Sequence, residues 1–382
     1  MKKKVWGILF VLFLMVNLLA WHSASFCDFY IEKIFPVLGG MYSMVTSIFP
    51  FSLGEWMLAA AVLFVVWFGL TAVIRTAVKK DWSRKLFLVT GRAFAWIFLA
   101  VMWVMTCNCF IQYHATEFEE KYFEQVRSEG YSREELAVLR DYIVVNLNEL
   151  ALQMERDERG YLVYSGDMHQ TAVEAMQRMG EKYPQLAGYY PEPKEIFFSD
   201  LLSQTHMMGY FFPFSMEANY NSRMYVVNKP STICHELSHL KGFLQEDEAN
   251  LIGYLACVDS DDLFFKYSGF MGVLNYVERE FQNSIGKSAA VYQKHPAISE
   301  QVYQDCIFLT KEAWQEVEEK AVVSTKTAKK VSNAATTATL KLNGVEEGMK
   351  SYEGVVKLLL DYYDGVLFGN VYMTVDAEAA EP

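Results

Sequence analysis

Three long apolar runs without a charged residue, Val5–Trp21, Trp56–Ile74 and Ala93–Tyr113, limit what this chain can fold into more than any other feature. They are 17, 19 and 21 residues long, and about 20 helical residues cross the hydrocarbon of a bilayer. The sequence therefore predicts a membrane domain over 1–113 with three transmembrane helices (about 5–21, 56–74 and 93–113), followed by an outer domain over 114–382. Lys2, Lys3 and Lys4 before the first run also suit a signal peptide. No small-residue cleavage pattern closely follows Trp21, Ser23-Ala24-Ser25 being the nearest, and two further runs come after it, so the expectation is a retained anchor.

Charge gives the direction. Residues 1–113 hold 10 Lys and Arg against 4 Asp and Glu, net +6, whereas the remaining 269 residues hold 24 against 42, net −18. Lys2–Lys4, and Arg75, Lys79, Lys80, Arg84 and Lys85 between the second and third runs, mark those segments as cytoplasmic. The acidic part then lies at the exoplasmic face of the cell membrane as the C-terminal domain of a multi-pass protein. Its charge would repel phosphate backbones, so the expected partners are the lipid bilayer and a peptide or protein, with no nucleic acid. The segment Phe26–Leu53, aromatic and broken by Pro36 and Pro50, predicts a short interfacial helix on the outer leaflet.

In the outer domain Ser132-Arg-Glu-Glu135 predicts a capping box opening a helix to about Met154. Further helices are expected over His169–Lys182, Ser231–Lys241, Glu246–Val258, Asp261–Gln282, Ser299–Ala321 and Tyr352–Tyr363. The aromatic stretch Gly209–Asn221 with Pro213 suits an edge strand or hairpin, Tyr225–Asn228 a short second strand, and Ser324–Leu342 an exposed linker. The fold class is thus mainly α (α+β), with a small β-sheet. None of the six cysteines forms a CxxC pair, which excludes a cysteine-rich zinc module, and Cys234 and Cys257 are expected as buried thiols.

One segment carries chemistry: His235-Glu236-Leu237-Ser238-His239, an HExxH pattern. Two histidines four apart share one helix face and can hold one Zn²⁺, while Glu236 can reach a water on the metal as catalytic base. Pro230 and Ser231 mark the helix start, and Gly242 its end. If the chain reverses at Gly242, the next helix delivers a carboxylate beside His239. Glu246 is favoured as third ligand over Glu248, with Asp247 and Glu217 as outsiders, because Asn250 follows Glu246 by one turn and can orient a ligand histidine. Tyr352, Tyr220 and His206 are the side chains of suitable type to stabilise an oxyanion.

HExxH followed by Glu246-x-x-x-Asn250 resembles the gluzincin zinc-peptidase pattern, with Asn in place of its Asp. Over most of the chain the three spans, Gly209-Tyr-Phe-Phe-Pro-Phe with Glu217-Ala-Asn219, the HExxH segment, Glu246-Asp-Glu-Ala-Asn250 and Ser351-Tyr352-x-x-Val-Val resemble a bacterial family called domain of unknown function 3810. That resemblance implies a membrane-anchored, zincin-like metallopeptidase and no particular substrate. The expected function is zinc-dependent hydrolysis of peptide bonds at the exoplasmic face; a catalytically inactive zincin-like scaffold or membrane sensor is the alternative. An intramembrane protease is disfavoured, since Lys229, Lys241 and Glu246–Glu248 flank the motif too closely for a bilayer core.

Overall fold

The computed structural model describes residues 2–124, 130–343 and 354–368. It is mainly helical with one small sheet, as the sequence predicts. Three helices are long and apolar enough to cross a membrane, with candidate spans Lys4–His22, Leu53–Val78 and Asp81–His114. All are longer than the uncharged runs, because a helix continues through flanking polar residues until something stops it. Ser52 caps the second through its hydroxyl, and Lys79, at φ +54, ends it. The second and third helices run antiparallel, with Phe64 on Phe94 and Phe68 on Phe87. The first runs parallel to the third: Trp6 Nε1 donates to Ala95 O at 3.0 Å and Asn17 Nδ2 to Thr106 Oγ1 at 2.9 Å. The start of the first helix and the Lys79–Lys80 turn therefore share one end of the group, and the outer domain sits at the other.

Between the first two apolar helices the chain forms three joined helical pieces, Ala24–Phe29, a π-helical turn Tyr30–Ile34, and Phe35–Thr46. Only one face of this segment matches the expectation of an interfacial helix. Val37, Leu38, Met41, Met44 and Val45 are exposed, whereas Cys27, Tyr30, Ile31 and Phe35 are buried in the same core as the outer domain. Asp28 fastens it by accepting from the Thr116 amide at 3.0 Å and hydroxyl at 2.6 Å, with Lys121 Nζ at 2.9 Å.

The outer domain packs the helices Arg133–Ala151, Met168–Lys182, Asn228–His239, Glu246–Val258 and Leu263–Ser284 around one core. The capping box at Ser132 and Glu135 forms as expected. The sheet has the order β1-β3-β2, with β1 (Lys194–Glu195) parallel to β3 (Glu217–Tyr220) and β2 (Gly209–Phe212) antiparallel to it, so β2 is an edge strand and Pro213 falls in the turn.

Three local expectations are corrected. Tyr225–Asn228 forms no strand: Val226 and Val227 turn and Asn228 opens the next helix, the Tyr225 amide donating to Phe308 O and its hydroxyl accepting from Leu162 N. Ser299–Ala321 is two helices, Glu300–Asp305 and Lys311–Glu319; Thr310 starts the second by accepting from Ala313 N. Ser324–Leu342 is a helix, Thr325–Leu342, capped by Ser324 and buried at Leu340. The last helix is described as Val355–Tyr363; Ser351 and Tyr352 lie outside the described residues.

Candidate metal centre

The HExxH helix, Asn228–His239, carries Pro230 within its first turn, where no intrahelical donor is lost. It ends at Leu240, and Gly242, at φ +90, reverses the chain. The reversal drops the Phe243 carbonyl onto His239 Nδ1 at 2.7 Å. The acidic helix Glu246–Val258 then starts and packs back along the HExxH helix at close range. At Gly253 a Cβ would stand 2.8 Å from Ser231 O and 3.2 Å from His235 N. Glu246, Asn250 and Gly253 share one face at helical spacing, so the close approach at Gly253 carries the other two to His235.

Asn250 Oδ1 lies 3.0 Å from His235 Nδ1. Both imidazoles thus donate their Nδ1–H to an oxygen, which leaves both Nε2 atoms as lone-pair donors. These two atoms stand 3.2 Å apart, and Glu246 Oε2 is 3.2 Å from His235 Nε2 and 4.0 Å from His239 Nε2. With both Nδ1 positions protonated, a cation placed among these three atoms would be met by three electron pairs. A tetrahedral ion with ligands at ~2.0–2.1 Å separates its donor atoms by about 3.3 Å, so these residues fit a zinc-sized cation. His235 and Glu246 keep 13% and 15% of their side chains exposed, which leaves an approach for water.

Electrostatics at the site follow from burial. Burial pushes the Glu236 carboxyl up to about 8, with Glu246 adding to the rise while His235 and the Phe211 amide N–H oppose it. Its Oε2 is buried without a hydrogen-bond partner, and so is Asn250 Nδ2. Burial pulls His239 down to about 4, reinforced by His235. His235 is raised although burial opposes its charged form, because Glu246 and Glu236 favour it.

The competing acids have other work. Glu248 turns inward and accepts from the Phe118 amide, capping the first short helix of the outer domain. Asp247 faces Gly354 at the start of the last helix. Glu217 is 2% exposed, holds Lys194 Nζ at 2.5 Å, and accepts from the Leu53 and Gly54 amides at 3.1 and 2.9 Å. It thereby caps the second apolar helix from the sheet. Of the oxyanion candidates, Tyr352 lies outside the described residues. Tyr220 gives its hydroxyl to Glu195 and meets His169, and His206 stacks on Phe308 and meets Trp314 at a tilt.

Two other phenols come to the site. Tyr210 on β2 feels Glu236 and Cys109, and burial pushes it up to about 12. Tyr113, at the end of the third apolar helix, is within electrostatic reach of Glu246 and shares a small cleft with Phe243 and Gln245. Tyr210 lies in the aromatic strand singled out from the sequence; nothing in the sequence marks Tyr113. Cys234 and Cys257 are buried free thiols in mutual contact, as expected.

Comparison with curated proteins and with solved structures finds no match in either. A family model does match over residues 30–360, and the chain belongs to the family described as Protein of unknown function (DUF3810).

Proposed function

We propose that this chain is a membrane-anchored, zinc-dependent metallopeptidase with a zincin-like outer domain that hydrolyses peptide bonds at the exoplasmic face. The observation that supports it best is the convergence of the His235 and His239 Nε2 lone pairs with Glu246 Oε2, beside a buried Glu236 oxygen without a partner. His235, His239 and Glu246 would hold Zn²⁺, and Asn250 and the Phe243 carbonyl fix the two rings from behind. When bound, the ion supplies Lewis acidity toward water and the peptide carbonyl.

Glu236 is not a ligand and acts as the base. It takes a proton as the water oxygen adds to the acyl carbon, and delivers it to the amine nitrogen as the C–N bond breaks. Tyr210 is the phenol best placed to donate toward the developing oxyanion. The exoplasmic orientation is supported by the basic end of the helix group, where Lys79 and Lys80 lie, opposite the site.

Elemental analysis of the purified full chain tests the ligand set. One zinc per chain in the wild type, lost in His235→Ala and in Glu246→Ala, supports it; retention in Glu246→Ala removes Glu246 from the set. Glu236→Gln separates an enzyme from an inactive scaffold, since an enzyme keeps its zinc and loses hydrolysis.

A further inference from the structure

The position of the edge strand restricts what the proposed peptidase can reach. At one end of β2, a Cβ on Gly209 would stand 2.3 Å from Glu236 Oε1. At the other end, Phe212 lies so close to the second apolar helix that a Cβ on Gly54 would stand 2.5 Å from its ring. At ~3.3 Å per strand residue, the four residues of β2 extend only about 10 Å, with Glu236 beside Gly209 and Phe211 and the first turn of that helix beside Phe212. The turn after β2 is held at the same level by two more membrane-side groups. Asn108 Nδ2 donates to Pro213 O at 2.6 Å, and Tyr42 hydroxyl donates to Phe214 O at 2.7 Å. β2 therefore links the neighbourhood of His239 and Glu236 to the first turn of the second apolar helix within one short strand, Phe211 packing on His239 at 5.7 Å and Phe212 on Gly54.

The level of that surface is marked by aromatic residues. Phe197 and Phe198, 77% and 48% exposed, follow β1, and their amides are held by the Glu55 carboxylate of the second apolar helix at 2.8 and 2.9 Å. Phe49 and Phe51 are exposed just before that helix. Such a rim of aromatic rings at a helix end suits the headgroup layer. Among the described residues, no strand covers the outer edge of β2, and Phe211 on it turns its amide N–H to Glu236.

Building on the peptidase reading, we propose that the substrate is a membrane-anchored polypeptide, which adds as a strand to β2 and is cut within the first few residues outside its own membrane helix. A chain leaving the bilayer beside the second apolar helix is already aligned with β2, and its backbone groups pair with those of the strand edge. Anchoring in the same bilayer raises its effective concentration at the site.

The test uses the zinc-loaded full chain reconstituted in lipid vesicles with a probe, a single-span protein carrying an extended exoplasmic linker. The same linker without its span serves as a soluble probe. The expected result is cleavage confined to about five residues from the probe's helix end, given the strand length and ~3.3 Å per residue, and cleavage of the soluble probe slower by about tenfold or more. Phe197→Asp combined with Phe198→Asp should slow cleavage of the anchored probe and leave the zinc content unchanged. Equal cleavage of both probes, or cuts spread along the linker, overturns the inference and leaves the peptidase reading standing. Cleavage of neither probe by a zinc-replete chain overturns both.

Discussion

Asn250 Oδ1 and His235 Nδ1, 3.0 Å apart across two helices, fix the orientation of one of the two converging imidazoles. Asn250→Ala removes that partner without touching a donor atom. Loss of such an outer partner costs about 10- to 100-fold in metal affinity. Competition with a chromophoric chelator should show zinc affinity reduced by that factor, while Asn250→Asp, which supplies a carboxylate at the same atom, retains or tightens binding.

Gly209 leaves room for the Glu236 carboxylate against the sheet. A methyl group there would fall 2.3 Å from Glu236 Oε1, so Gly209→Ala has to swing the carboxylate away. Misplacing a catalytic group by about 1 Å costs on the order of 10²-fold in rate. Peptide hydrolysis should fall by that order with zinc content unchanged, a combination that distinguishes displacement of Glu236 from loss of the metal.

Lys194 and Glu217 form an ion pair that is 7% and 2% exposed. Removing one charge strands the other, at a typical cost of about 3–5 kcal/mol. Glu217→Gln should lower the thermal unfolding midpoint markedly, and adding Lys194→Met should recover part of the loss. No recovery in the double variant would mean that the capping of Leu53 and Gly54, and not the stranded ammonium, sets the cost.

Asp28 is held below the usual carboxylate range. Burial pushes it up, but the Thr116 hydroxyl, Lys121 and the Thr116 amide together outweigh burial. A carboxyl depressed on folding contributes stability above its unfolded value, about 3.9, and loses it as pH falls through the folded value. Protease access to the Ala24–Ile34 segment should therefore rise below about pH 4 in the wild type. In Asp28→Asn it should already be high at pH 7 and change little on acidification.

Where local chemistry decides the structure, the sequence sufficed. The helix Glu246–Val258, the hairpin about Pro213 and the reversal at Gly242 all follow from breakers, caps and spacing. Glu246, singled out because Asn250 follows it by one turn, stands beside the two histidines, and Glu248 turns to Phe118. Long-range packing was not legible. Thr325–Leu342 is rich in Thr and Lys and its apolar stripe is made largely of small Ala, so it reads as an exposed segment; it forms because Ser324 caps it, Ala and Lys favour helix, Gln204 donates to Val323 O just before it and Ser332 donates to the Met207 sulfur. Tyr113 shares a cleft with Phe243 and Gln245 only because the third apolar helix ends beside that turn, a placement that no single segment encodes. The two-residue strand β1 is too short for any pattern to reveal.

The carboxylate of Glu217 ties the centre of the sheet to the opening turn of the second apolar helix, and Ile31 lies within 3.7 Å of where a side chain at Gly242 would begin. Severing the chain after the third apolar helix would therefore not release a self-sufficient outer domain. The shed fragment would carry a raw apolar wound where Cys27, Ile31 and Phe35 had been and a sheet deprived of its support, so the N-terminal apolar segment acts as the keel of the outer domain, not as its mooring line.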